Sequence, residues 1–263
     1  MYDWPEIAGA NDAVWSYVAG LLAQANFAAP RELSRGHRID EPWSAPELVL
    51  AQTCGYPFAT GLRGKVQLVG TPKYRVAGCS GTNYSSVIIA SRRSGIQSLS
   101  GLDGAAAAIN SETSQSGYWA LRAALASVPG AVAPSRAVLS GTHRNSVCMV
   151  ADGSADIAAI DAVCWALAQR HEPGAVAAVR IVGHSPLAPG LPLITARHAA
   201  PALLAALQRA LLTVTTEPSL EDALGMLFWA GFEITADAGY DRILDLKRLA
   251  LSGPFPEVTC HQP

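Results

Sequence analysis

The spacing of apolar and polar positions divides the chain into short apolar runs and stretches with a helical repeat. Val14, Trp15, Val18, Leu21 and Leu22 recur at helical intervals, and Asn11 or Asp12 can cap the helix they predict. A Pro- and charge-rich loop covers residues 30–46, after which ELVLAQT and KVQLVGTP read as short buried strands bounded by Gly and Pro. YSSVIIAS is a β-branched run followed by the polar turn RRSGIQSLSGLDG. AAAAIN, a strand of small residues, leads into a helix over 118–126. The alternation continues with RAVLSG as a strand and THRNSVCMVADG as a helix stopped by Gly153. DIAAID then reads as a strand entering the helix AVCWALAQR. AVAAVRIVG reads as one further strand before the Pro-broken HSPLAPGLPLIT, and helices are expected over 200–214, 220–229 and 240–251. Strands alternating with helices predict an α/β fold built on a mainly parallel, helix-covered sheet. With no internal repeat and no low-complexity linker, a second lobe would arise by the chain crossing over and returning.

Composition narrows the function classes. The 263 residues suffice for one large domain or two lobes, and the 50% hydrophobic content with 15% charge provides for a substantial core. A net charge of −2 with scattered Lys and Arg offers no nucleic-acid surface. The five cysteines (Cys54, Cys79, Cys148, Cys164, Cys260) are odd in number and lack C-x-x-C spacing, which points to free thiols. The six histidines (37, 143, 171, 184, 198, 261) include no i,i+4 pair, so no metal site and no cofactor is expected. No apolar stretch is long enough to span a membrane. The opening MYDWPEIAGAND lacks the basic and apolar runs of a secretory signal, so the chain as given reads as soluble and cytoplasmic. Phosphate-loop, dinucleotide and zinc-protease motifs are absent, and GCSGT only half resembles a nucleophile elbow.

Polar residues recur where strands hand over to helices. SETSQSGYWALRAAL places Thr113, Ser114, Ser116 and Gly117 at the mouth of a helix. Ser114 can be a plain N-cap, or the free amides and the helix dipole can hold an oxyanion. The next junction carries Gly141, Thr142, His143 and Asn145, and the one after it Asp161. In open parallel sheets ligands bind at the carboxyl ends of strands. Three consecutive junctions of this kind suit a compact anion, and capping remains the alternative at each.

LAQTCGYPF, YSSVIIA, S-x-S-G-Y, SGTHRNS and ADIAAID stand in this order along residues 2–251. Together they resemble the phosphate/phosphite/phosphonate-binding family of ABC-transporter substrate-binding proteins. The resemblance implies a two-lobed type II periplasmic binding protein, each lobe a mainly parallel sheet flanked by helices. Residues 1–88 and 184–263 would form lobe 1 and 89–183 lobe 2, with the ligand cleft between them. It implies capture of a small oxyanion by hinge closure, a possible ABC permease partner, no catalysis, a monomer, and a periplasmic location. Ligand contacts would come from Ser114, Gln115, Ser116, Gly117 and His143 of lobe 2. Tyr56 and Tyr84 would donate from lobe 1, and Asp161 would face a protonated ligand oxygen or a ligand amine.

Bland readings stand beside these. Tyr56 precedes Pro57 and can pack a turn, Tyr84 can be core, and His143 can be a cap. Arg144 fits a solvated helix face and Asp156 a structural turn. Cys54 and Cys79 fit buried small hydrophobes, and Trp165 and Trp229 fit core. Leu191, in APGLPL, occupies the place where aminoalkylphosphonate binders carry a second acid, which argues against such a ligand. The chain also begins inside what would be the first loop, with no strand before Tyr2, so either the fold dispenses with that strand or the start lies upstream of Met1. Two alternatives use the same fold: a thiamine-pyrimidine-type enzyme, with Cys54, Cys148 and His143 as suspects, and a sensor that signals ligand occupancy.

Overall fold

The computed structural model of the protein describes residues 1–36 and 38–260; His37 and His261 lie outside them. The turn Pro5–Ile7, with φ preset by Pro5, runs into helix α1 (Ala8–Gln24), which buries Val14, Trp15, Val18 and Leu22. The expected caps lie inside this helix instead. Asn11 Nδ2 donates to the Tyr2 carbonyl at 2.8 Å, and Asp12 pairs with Arg35 at 2.7 Å.

Strand β1 is only Ala51–Gln52; α2 (Gly55–Pro57) continues as a π turn, Phe58–Leu62, and β2 covers Val66–Tyr74. The short β3 (Cys79–Ser80) and β4 (Asn83–Tyr84) precede β5 (Ser86–Ser91), which is buried along its whole length. β6 (Ala106–Ile109) leads through a π turn, Gln115–Trp119, into α3 (Ala120–Ala126). β7 (Arg136–Leu139), α4 (His143–Asp152), β8 (Ile157–Asp161) and α5 (Ala162–His171) complete the predicted alternation.

Beyond this point two expectations fail and one strand appears that the spacing does not predict. The strand expected over 175–183 begins with a helix, α6 (Pro173–Ala177), because Pro173 sits at its first position ahead of the helix-forming Ala175 and Ala177. Only Val179–His184 forms β9. After β10 (Ala188–Pro189), β11 (Leu193–Ala196) and α7 (Pro201–Val214), the helix expected over 220–229 is reduced to α8 (Glu221–Met226). Phe228 stands at φ 54°, in the left-handed region, and turns the chain into β12 (Trp229–Glu233). α9 (Asp241–Ala250) precedes a strand not read from sequence, β13 (Val258–Cys260).

The chain divides into two compact units. The first comprises 1–75, 80–82 and 189–241, and the second 76–79, 83–188 and 242–263. The first unit's sheet has the order β1-β11-β2-β12, and every pairing is antiparallel, which overturns the expectation of a mainly parallel sheet there. Strands β11 and β12 both return to β2 from far along the chain, and spacing of apolar residues carries no information on that direction. Gly70, at φ 153°, permits the close approach of β12. A Cβ there would lie 2.4 Å from the Phe232 ring and from the Glu233 carbonyl. Helices α1, α7 and α8 pack together in this unit.

The second unit's sheet has the order β13-β7-β6-β8-β5-β9. β7, β6 and β8 are parallel, as expected, and β13 joins β7 in parallel, whereas β5 runs antiparallel to both β8 and β9. β5, β6 and β8 are buried residue after residue, and Ile88, Ile89, Ile109, Leu121, Ile157 and Ile160 form the core. Because β7, β6 and β8 are parallel neighbours, their carboxyl ends lie side by side, each followed by the start of a helical segment.

Candidate functional site

At the end of β6, Ser114 takes extended backbone angles and its Oγ accepts from the Gly117 amide at 3.0 Å. Its carbonyl accepts from both Tyr118 and Trp119 amides, at 3.2 and 3.1 Å, which opens the turn into π geometry. Gly117 leaves room for the Asn110 side chain: a Cβ there would lie 1.7 Å from Asn110 Oδ1 and 2.8 Å from Asn110 Cγ, so Asn110 would have to move. At the end of β7, Thr142 Oγ1 accepts from the Asn145 amide at 3.1 Å, and the turn is fastened by Asn145 Nδ2 on the Ser140 carbonyl at 2.9 Å. At the end of β8, the buried Asp161 accepts from the Val163 and Cys164 amides at 2.8 and 3.2 Å. Capping is therefore real at all three junctions.

One contact goes beyond capping. Ser116 Oγ lies 2.8 Å from His143 Nε2 and so ties the start of the first helical segment to the start of α4. Ser114 Oγ stands 3.5 Å from Ser116 Oγ, giving two hydroxyls and an imidazole in a row. Ser114, Gln115 and Ser116 are buried, and β8 packs against their turn. Burial pushes His143 down to about 4, against a smaller upward effect of the Ala159 carbonyl, so the imidazole is neutral at pH 7. The row therefore offers uncharged donors and acceptors at helix starts, beside the fixed carboxylate of Asp161.

Neighbouring thiols are held in their unreactive protonated form, and the nearby charged groups have partners of their own. Burial, then the Asp161 charge, pushes the half-buried Cys79 thiol up to about 12 and the Cys164 thiol well above its usual value. Cys148 is also raised by burial. Arg144 pairs with Glu172 at 2.6 Å, and Asp156 accepts from the Ala106 amide at 2.8 Å, a structural role as expected. Among the described residues no group of three metal-ligating side chains occurs, and no helix is long and apolar enough to cross a membrane. A cavity of about 620 Å³ is lined by Arg75, Glu217, Phe228 and the half-buried Trp229, all of the first unit.

A family model described as the periplasmic substrate-binding protein of ABC phosphonate transporters matches residues 46–240. The chain belongs to this phosphonate-binding family. Members of the family are transport receptors and not catalysts, which displaces the enzymatic alternative raised for Cys54, Cys148 and His143. Three solved structures share its fold. A binding protein component of an ABC phosphonate transporter (PA3383) from Pseudomonas aeruginosa has a TM-score of 0.73 at 17% identity, covering 91% of this chain and 82% of that one. PhnD1 from Prochlorococcus marinus, in complex with methylphosphonate, has a TM-score of 0.72 at 14% identity, covering 92% and 93%. XAC2383 from Xanthomonas citri, bound to chloride ion, has a TM-score of 0.70 at 18% identity, covering 95% of each chain. No curated protein sequence matches the chain.

Within this member of the phosphonate-binding family, hydrogen bonds join Ser114, Ser116, Gly117 and His143, with Gln115 buried in the same turn. Asp161 ends the adjacent strand, and Tyr84 is buried on β4 of the same unit. Tyr56 belongs to the first unit, half-buried on α2, where its carbonyl accepts from Thr60 Oγ1 at 2.7 Å. Sequence reasoning missed Ser86 and Asn110. Ser86 is fully buried directly opposite Asp161 in the β5–β8 register, and its Oγ has no hydrogen-bond partner among the described residues. Asn110 Oδ1 is buried against Gly117 in the same way. The only signal for Ser86 was a hydroxyl inside an otherwise apolar β-branched run.

Proposed function

We propose that the protein is the capture component of an uptake system for a small tetrahedral oxyanion of the phosphonate or phosphate type. The observation that carries this reading is the 2.8 Å contact between Ser116 Oγ and His143 Nε2, which brings two helix starts onto one point. The methylphosphonate recorded in PhnD1 supports the ligand class by similarity of fold. Ser114, Gln115, Ser116, Gly117 and His143 would supply donors to the ligand oxygens. Tyr84 and Tyr56 would add phenolic donors, and Asp161 would accept from a protonated ligand oxygen. Leu191, where a second acid would greet an aminoalkyl group, favours methylphosphonate, phosphite or phosphate over aminoethylphosphonate.

Closure about a hinge, a monomeric receptor and a permease partner belong to the same proposal. Calorimetric titration with methylphosphonate, phosphite, phosphate and aminoethylphosphonate tests it. The expected result is saturable binding of at least one of the first three, weakened by Ser116→Ala. A hydroxyl bonded to a charged ligand contributes about 1.5–3 kcal/mol, so affinity should fall roughly 10- to 150-fold. No binding of any of the four at millimolar concentration would overturn the reading.

A further inference from the structure

The π turn that carries the proposed cradle ends in Tyr118 and Trp119, both buried. Arg122 lies one helical turn on, four residues after Tyr118 and three after Trp119, so all three share one helix face. Its Nη1 donates to the Tyr118 hydroxyl at 2.6 Å, and its guanidinium carbon stands 5.2 Å from the Tyr118 ring centre and 5.4 Å from that of Trp119. A third ring comes from far along the chain: Phe255, 5.3 Å from the same carbon and edge-on to Tyr118 at 5.6 Å. Lys247 of α9 places its Nζ 5.5 Å from the Trp119 ring centre. From Phe255 the chain runs into β13, which pairs in parallel with β7, the strand that delivers His143.

We propose that Arg122 is a positioning residue for the oxyanion cradle, holding the Gln115–Trp119 turn in register through Tyr118 and Trp119, with Phe255 of the carboxyl-terminal segment as the outer half of the clamp. The physical case is threefold. A π turn is wider and less favourable than an α turn, so it persists where side chains over-determine it. Arg122 spans the junction at which π geometry passes into α3, hydrogen-bonds to Tyr118 and lies over the Trp119 ring, the two aromatic residues of the π side. A guanidinium sandwiched among three rings is attracted by each ring face, and its planar stacking is something an ammonium does not reproduce. The segment that supplies Phe255 also braces β7, so one stretch of chain steadies both halves of the Ser116–His143 contact.

This inference rests on the proposed ligand reading only for its binding arm. Arg122→Met keeps the apolar stem and removes the cation, and Phe255→Ala removes the outer ring from a half-buried site. In ligand-free protein, hydrogen exchange of the Gly117 amide, which donates to Ser114 Oγ, should quicken about tenfold in either variant while the amides of β5 keep their protection. In the binding arm, Kd for methylphosphonate should rise about five- to tenfold for Arg122→Met, less for Arg122→Lys, and no further when Phe255→Ala is added to Arg122→Met. Folded variants with unchanged Gly117 exchange would overturn the positioning role, whether or not the wild type binds an oxyanion. Quickened Gly117 exchange in the variants, together with a wild type that binds none of the oxyanions, would leave the clamp standing and remove the ligand reading instead. Should Arg122→Met fail to fold, Phe255→Ala decides by the same two measurements.

Discussion

His143 makes the stability of this protein sensitive to mild acid in a way that can be worked out from its surroundings. Its imidazole is half-buried at the start of α4 against Ser116, and loss of solvent lowers it from 6.5 in the unfolded chain to about 4. Between those values the unfolded chain takes up a proton that the folded protein refuses, so acidification favours unfolding. The loss begins as pH drops through 6.5, is complete near 4, and does not grow below that from this group. At roughly 1.4 kcal/mol per pH unit the gap corresponds to about 3 kcal/mol, a large share of the total stability of about 5–15 kcal/mol usual for a folded protein. Carboxylates also titrate toward the lower end of this range, so the measurement must be differential. Urea unfolding of the wild type and of His143→Gln at pH 7, 6, 5 and 4 isolates the imidazole, because glutamine keeps a polar partner for Ser116 and cannot titrate. The expected result is a wild-type advantage that shrinks by about 3 kcal/mol between pH 7 and pH 4. Stability curves that stay parallel, or an imidazole that titrates near 6.5 by NMR in the folded protein, would refute the argument.

Three further outcomes follow from close contacts. Gly117→Ala drives a methyl group to 1.7 Å from Asn110 Oδ1, and should cost about 1–3 kcal/mol, read as a lowered Tm, with loss of oxyanion binding. Gly70→Ala presses on the Phe232 ring and the Glu233 carbonyl at 2.4 Å. It should destabilise by about 3 kcal/mol or more, read by urea unfolding, because one obstacle is backbone and cannot rotate away. Thr142→Ala removes the α4 cap and should cost about 1 kcal/mol by the same assay, while Thr142→Ser should restore most of it.

Strand and helix types in the stretch from β5 to α5 were legible, because small and β-branched residues fill buried strands and hydroxyls or an acid cap the helices that follow. The parallel direction of β6, β7 and β8 follows from the same alternation. Nothing local distinguishes the antiparallel sheet of the first unit, since the partners of β2 lie more than a hundred residues away in sequence. The helix expected over 220–229 failed at Phe228, whose left-handed backbone no propensity of phenylalanine announces. In the site, the residue types at the junctions were readable, but the bond between Ser116 and His143 was not, because two separate loops must meet to make it. Ser86 and Arg122 escaped notice for the same reason: a serine in an apolar strand and an arginine on a helix become informative only when Asp161 and Phe255 stand beside them.

The interleaving of the two units has a consequence for how the protein is made. β2 emerges early during synthesis, yet its neighbours β11 and β12 are not available until residues 193–233 have followed. β7 likewise waits for residue 258 before its free edge is covered. Domains that are continuous in sequence can mature one after the other on the ribosome; here both units must stay open together. The nascent chain therefore displays unpaired strand edges for most of its translation, and this protein should lean on chaperones more heavily than a chain of equal length whose halves close in turn.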